Sequence, residues 1–134
     1  MAGSKGSKYY NIFLRYLVCL ENEDGKEVIG ETMIQLLKII KKENSLMAAS
    51  HQLNISYRNA WGALRRAEQL LGIVLVEKKR GGEKGGTSYL TPDGEQLIQA
   101  FDELRIEFDK AVHSITKKFF HSINKKQNKI LAEK

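Results

Sequence analysis

Four consecutive residues, Ser56, Tyr57, Arg58 and Asn59, bring together side chains that can read and hold a polyanion. Arginine offers two parallel donors to guanine O6 and N7. Asparagine matches adenine N6 and N7, and serine and tyrosine hydroxyls suit phosphate oxygens. About two helical turns on, Arg65 and Arg66 can meet a phosphate backbone. A second basic cluster, Lys78, Lys79, Arg80 and Lys84, surrounds Gly81, Gly82, Gly85 and Gly86, which let the main chain approach phosphates closely. Ser45, before the first group, and Thr87, after the second, complete the candidate contact set. Without their surroundings these are ordinary solvated side chains, so the reading depends on the elements that carry them.

The charge distribution agrees with such a partner. The chain has 134 residues, 22 Lys+Arg and 16 Asp+Glu, for a formal net charge of +6. Residues 45–90 hold 7 basic and 3 acidic residues, residues 91–113 hold 2 and 6, and residues 114–134 hold 6 and 1. Two basic blocks thus flank an acidic one, and a basic folded face attracts polyanions in a salt-dependent way.

Other chemistries fail on composition or spacing. The Gly-rich stretch puts Thr87 after Gly86 where a nucleotide-binding loop needs Lys and then Ser/Thr, and it leads into a strand pattern rather than a helix. His51, His113, His121 and Cys19 lack zinc-ligand spacing, so no metal or other cofactor is expected. No nucleophile–base set or carboxylate pair stands out, so no catalytic residue is named. One cysteine allows no internal disulfide and fits a reducing compartment. No apolar run reaches the ~20 residues of a membrane span, and the start MAGSKGSKYY has no apolar signal core. A cytoplasmic, non-enzymatic protein is the expectation.

The elements follow from periodicity. Residues 9–19 are aromatic and β-branched and predict a strand. Asp24-Gly25 predicts the turn and Lys26–Gly30 the return of a β-hairpin, with Cys19 in its core. Met33, Ile34, Leu37 and Ile40 recur at helical spacing, and Asn44 ends that helix. Ser45 caps a short helix to Leu53 with small inner residues, Ala48 and Ala49. Ser56 caps a third helix from about Tyr57 to Leu71, with Ala60, Trp61, Leu64, Ala67 and Leu71 apolar and Gly72 as its stop. Residues 73–78 predict a strand, and Thr87–Leu90 its partner across the basic tip.

Thr91 then caps a long helix, with Pro92 at its first position. Leu97, Phe101, Leu104, Phe108, Ala111 and Ile115 repeat at spacings of 4, 3, 4, 3 and 4, a heptad-like seam. Through Phe119 this helix would be about 42 Å long at ~1.5 Å per residue. A helix outreaching a small domain packs on a partner, and a second copy of the chain is expected there. The expected organisation is a disordered leader (1–8), a winged helix-turn-helix domain with an N-terminal hairpin (9–90), a dimerisation helix (91–120) and a basic tail or frayed helical end (121–134). The fold class is α+β, mainly helical.

Asn54-Ile55-Ser56-Tyr57-Arg58-Asn59-Ala60-Trp61, then Leu75-Val76-Glu77, the paired glycines and Leu90-Thr91-Pro92-Asp93-Gly94 resemble the N-terminal DNA-binding domain of the ModE family of molybdate-responsive repressors. That domain is related to the winged helix of LysR-type regulators. The resemblance spans roughly residues 10–115. It implies a prokaryotic transcriptional regulator that binds double-stranded operator DNA as a homodimer, with Ser56 to Asn59 at the DNA-facing start of the third helix. ModE proteins carry the oxyanion in separate C-terminal domains, whereas this sequence ends after the dimer helix. No molybdate site is expected in it, nor any membrane partner. The alternative is a winged-helix module that binds another protein without sequence-specific DNA affinity.

Overall fold

The computed structural model describes residues 6, 8–79 and 87–133. They form β1 (Leu20–Glu21), β2 (Glu27–Ile29), α1 (Glu31–Glu43), α2 (Leu46–Gln52), α3 (Tyr57–Leu71), β3 (Val76–Lys79), β4 (Thr87–Leu90) and α4 (Pro92–Glu133). This is a winged helix-turn-helix fold of mainly helical α+β class, with a hairpin before it and a long helix after it. Two compact units divide the chain: residues 18–102, and residues 1–17 with 103–134. No helix among the described residues is long and apolar enough to cross a membrane.

The N-terminal hairpin is much shorter than its sequence predicts. Its turn is built as expected: Asn22 Oδ1 accepts from the backbone N of Asp24 at 3.0 Å and of Lys26 at 2.9 Å, and Gly25 takes a φ of 77°. The first strand, however, is confined to Leu20–Glu21, and residues 9–19 form no strand beyond an isolated bridge at Phe13. Pairing explains the difference. The return strand has three residues before Gly30 opens α1, so the ladder closes with Leu20 opposite Ile29 and offers the upstream residues no further rung. Cys19 is accordingly exposed, and is neither in a strand nor in the core.

The core of the 18–102 unit lies among α1, α2 and α3. Ile34, Leu36, Leu37 and Ile40 of α1 meet Leu46 and Ala49 of α2 and Ala60, Leu64 and Ala67 of α3, each at most 2% exposed. Alanine at 49 and 60 lets the helices approach closely. Asn44 ends α1 in the left-handed conformation (φ 53°), a geometry asparagine tolerates better than most residues. Its carbonyl accepts from Ser88 N at 3.0 Å, which pins the wing to α1.

The strand expected over 73–78 begins only at Val76, and the ladder runs from Val76 opposite Leu90 to Lys79 opposite Thr87. Upstream, the backbone is committed elsewhere: Leu75 N donates to Glu68 Oε2 at 2.7 Å, and Leu75 O accepts from Thr91 N at 2.9 Å. Thr91 Oγ1 accepts from Gly94 N at 3.0 Å, capping α4, and donates to Val74 O at 2.6 Å. The start of α4 is further held to α1 by Lys38–Asp102 at 2.7 Å and Lys41–Glu95 at 3.9 Å.

In the other unit, α4 runs on as helix through residues 121–133, the stretch read from sequence as a frayed end or tail. Ile12, Phe13 and Leu14 face Ile115, Phe119 and Phe120 across an apolar groove of about 310 Å³. Tyr16 OH donates to Asp109 Oδ1, and the rings of Tyr9 and Phe120 lie 6.1 Å apart.

Candidate nucleic-acid interface

Two serine caps set the geometry of the turn between α2 and α3. Ser45 Oγ accepts from Ala48 N at 3.0 Å and Ser56 Oγ accepts from Asn59 N at 3.0 Å. Between them Asn54 adopts φ 57°, and Ile55 N returns to Ser50 O at 3.0 Å, so the chain reverses within three residues. A capping hydroxyl spends an acceptor site and keeps its own proton to donate. Ser56 is exposed and can use that proton, whereas Ser45 is half-buried.

Helix α3 divides cleanly. Ala60, Leu64, Ala67 and Glu68 are buried, while Arg58, Asn59, Gly62, Arg65 and Arg66 are exposed. Arg58, Gly62 and Arg66 fall four residues apart on one row. A Cβ at Gly62 would meet nothing within 4 Å, so the backbone between the two arginines is open to an approaching surface. The positive N-terminal end of α3 adds to the attraction for phosphate.

A second row along α3 faces the wing. Lys78 Nζ donates to Tyr57 OH and stands 4.9 Å from the Tyr57 ring centroid and 4.3 Å from that of Trp61. The Arg65 guanidinium lies 4.2 Å from the Trp61 ring and 3.3 Å from Glu68 Oε1. Trp61, read from sequence as a core residue, is half-buried: it packs against the core while two cations stand over its ring. Tyr57 is likewise half-buried.

Of the remaining wing residues, Lys79 is exposed with its ammonium 5.2 Å from the Tyr89 ring, and Thr87 is half-buried opposite it in the ladder. Arg80 and Lys84 lie outside the described residues. Ser56, Arg58 and Asn59 therefore lie together at one exposed helix start. Lys78 and Arg65 are brought instead to the aromatic pair of α3.

The heptad seam of α4 is not one surface. Phe101 is 2% exposed and belongs to the core of the 18–102 unit, and Leu97 packs partly against that core. Both had been expected at a dimer interface. The regular spacing continues while the surroundings change, because Ile98 and Phe101 join the buried core of the 18–102 unit. Farther along, Leu104 is 36%, Phe108 45% and Ile115 60% exposed, and Ala111 is exposed too.

The sequence of the segment that builds this surface is that of a known group. Residues 32–95 match the profile of the bacterial regulatory helix-turn-helix protein, lysR family. This segment is similar to LysR-type helix-turn-helix domains. It is ModE-like within that type. The chain is 41% identical over 71 residues to the DNA-binding transcriptional dual regulator ModE of Escherichia coli, covering 53% of this chain and 27% of that protein. It is 33% identical over 89 residues to the molybdenum-pterin-binding protein MopB of Rhodobacter capsulatus, covering 66% of this chain and 33% of MopB. The chain thus spans about a third or less of the curated relatives it matches. Among solved structures, MarR superposes with a TM-score of 0.51 at 15% identity over 78% of this chain and 77% of MarR, a likeness of fold.

Two residues of this domain gave no sign in the sequence. Met47 is 64% exposed in the first turn of α2, beside the cap at Ser45. Its exposure follows from the phase set by Leu46 and Ala49, which point inward. Glu68, to which the sequence assigns no role, is a buried acceptor that ties α3 to the wing.

Proposed function

We propose that this chain is a sequence-specific DNA-binding transcriptional regulator acting as a homodimer, and not an enzyme. The observation that carries this reading is the exposed start of α3, where Ser56, Arg58 and Asn59 stand free of the core while Ala60, Leu64 and Ala67 on the other side are buried in it. Arg58 and Asn59 would meet base edges in the major groove, with Ser56 and Arg66 on phosphates and Lys79 of the wing on the neighbouring backbone. The DNA-binding description of the ModE relative supports the same partner. The exposed apolar residues of α4 beyond Asp102, with Ile12, Phe13 and Leu14, supply the surface for the second copy. Two recognition helices would then enter successive major grooves about 34 Å apart on a pseudo-palindromic site.

Fluorescence anisotropy with labelled duplex DNA tests this directly. Six or more phosphate contacts predict a loss of affinity of about 10³-fold or more between 50 and 200 mM salt. Absence of duplex binding, or binding insensitive to salt, overturns the reading. Stable capture of another protein together with no duplex affinity would instead identify a protein-binding module.

A further inference from the structure

We propose that Lys78 is a positioning residue: it clamps the wing strand β3 to the aromatic edge of α3, where Arg65 braces Trp61 and Glu68 from within the helix, and so fixes the wing against the recognition helix. The inference rests on the DNA-binding reading for its consequence but not for the clamp itself. The observation is a continuous run of contacts along the Tyr57, Trp61, Arg65 and Glu68 row of α3. At one end the Lys78 ammonium bonds Tyr57 OH and sits over both rings; at the other, Glu68 Oε2 holds Leu75 N at 2.7 Å and Val76 N at 3.3 Å. Trp61 lies between, its ring meeting two cations at 4.2 and 4.3 Å. Strand β3 is therefore attached to α3 both where it begins and two residues along.

Cations over aromatic faces are attracted by the ring quadrupole, most strongly by tryptophan. A lysine whose ammonium is shared between a phenol oxygen and two rings is not poised on a phosphate. Lys79, the next residue, points from the opposite face of the strand and carries no contact to α3 among the described residues. The two adjacent lysines thus divide the work: Lys79 is free to meet DNA, and Lys78 sets where the wing stands when it does. Base preference depends on both elements reaching the duplex together, so loosening the clamp should blur discrimination more than it weakens electrostatic attraction.

Trp61 is the only tryptophan in the chain, so its emission reports the clamp without DNA. Lys78→Ala should shift or brighten Trp61 emission in the DNA-free protein, Lys78→Arg should restore the wild-type spectrum, and Lys79→Ala should leave it unchanged. For the consequence, the probes are a duplex selected by the wild-type protein from a random pool and a random-sequence duplex of equal length. Lys78→Ala should lower the selected-to-random affinity ratio about tenfold with an unchanged salt slope, and Lys78→Arg should recover the ratio. An unaltered Trp61 spectrum in Lys78→Ala overturns the clamp. A salt slope reduced by about 0.9 with the ratio intact overturns the positioning role, because one phosphate contact has then been lost. If the wild-type protein binds no duplex, the proposed function and the positioning role both fail, and the emission result still decides whether the clamp exists.

Discussion

Glu68 Oε2 lies 2.7 Å from the backbone nitrogen of Leu75, seven residues downstream, and both groups are buried. The contact turns the chain out of α3 and into the wing. The same carboxylate accepts from Val76 N at 3.3 Å, and its other oxygen meets Arg65. A buried donor left without a partner costs about 1–3 kcal/mol. Glu68→Ala should therefore destabilise the fold by about 2–3 kcal/mol, and Glu68→Gln, which keeps one acceptor oxygen, by less than half of that. Urea denaturation followed by far-ultraviolet circular dichroism measures both, and equal stabilities for the two variants would contradict the assignment.

Gly94 sits on the other side of the same junction. In the interior of a helix alanine is ordinarily favoured over glycine by about 1 kcal/mol. Here a Cβ would stand 2.5 Å from the carbonyl oxygen of Leu75, a backbone atom that also accepts from Thr91 N and cannot swing aside. Overpacking of this kind costs about 1–3 kcal/mol, so the clash outweighs propensity and Gly94→Ala should lower the melting temperature. A raised melting temperature would show that the wing and α4 shift apart freely.

Much of this was legible in the sequence because it is written in local chemistry. Ser45, Ser56, Asn44 and Gly72 mark helix ends through side-chain oxygens or tolerance of positive φ, and the apolar phases of α1 and α3 fix their inner faces. What could not be read depends on partners distant in the chain. Residues 9–19 have the composition of a strand, but a three-residue return strand ends before it can extend the ladder to them. Cys19 is exposed for the same reason. Phe101 and Ile115 share one heptad phase, yet only Phe101 meets a core from its own chain. Lys78 and Lys79 are identical as residue types, and what their ammonium groups meet, Tyr57 and Trp61 for one and Tyr89 for the other, follows from which face of β3 each occupies. The basic tip at Arg80 and Lys84 lies outside the described residues, so its part in the interface rests on sequence alone.

The division between base reading and phosphate holding gives a paired prediction. Arg58→Ala removes a bidentate partner for one base, and should cost about 1–3 kcal/mol on the selected duplex while relaxing preference at one position. Lys79→Ala should weaken selected and random duplexes alike and reduce the magnitude of the salt slope by about 0.9. Anisotropy titrations of both variants on both duplexes at several salt concentrations separate the two patterns. Identical behaviour of the two variants would remove the distinction.

The seam of α4 yields the last prediction, because two of its residues at equal phase have opposite surroundings. Phe101, 2% exposed, fills space beside Ile98 and the α1–α3 core, so Phe101→Ala should cost about 3–5 kcal/mol of stability through lost burial and a residual cavity. Ile115 is 60% exposed at the rim of the groove that Ile12, Phe13 and Phe119 also line, and its truncation leaves the interior of its own chain intact. If this surface receives a second copy, Ile115→Glu buries an unpaired charge in the dimer and none in the monomer. Sedimentation velocity at micromolar concentration should then show a dimer for the wild type and a folded monomer for Ile115→Glu, with loss of the tightest mode of duplex binding and retention of the melting behaviour of the 18–102 unit. A wild-type protein that sediments as a monomer, or an Ile115→Glu variant that remains dimeric, would move the dimer contact away from α4. Because Phe101→Ala is expected to act on folding and Ile115→Glu on assembly, the pair also tests whether one unbroken apolar stripe serves two different purposes along the same helix.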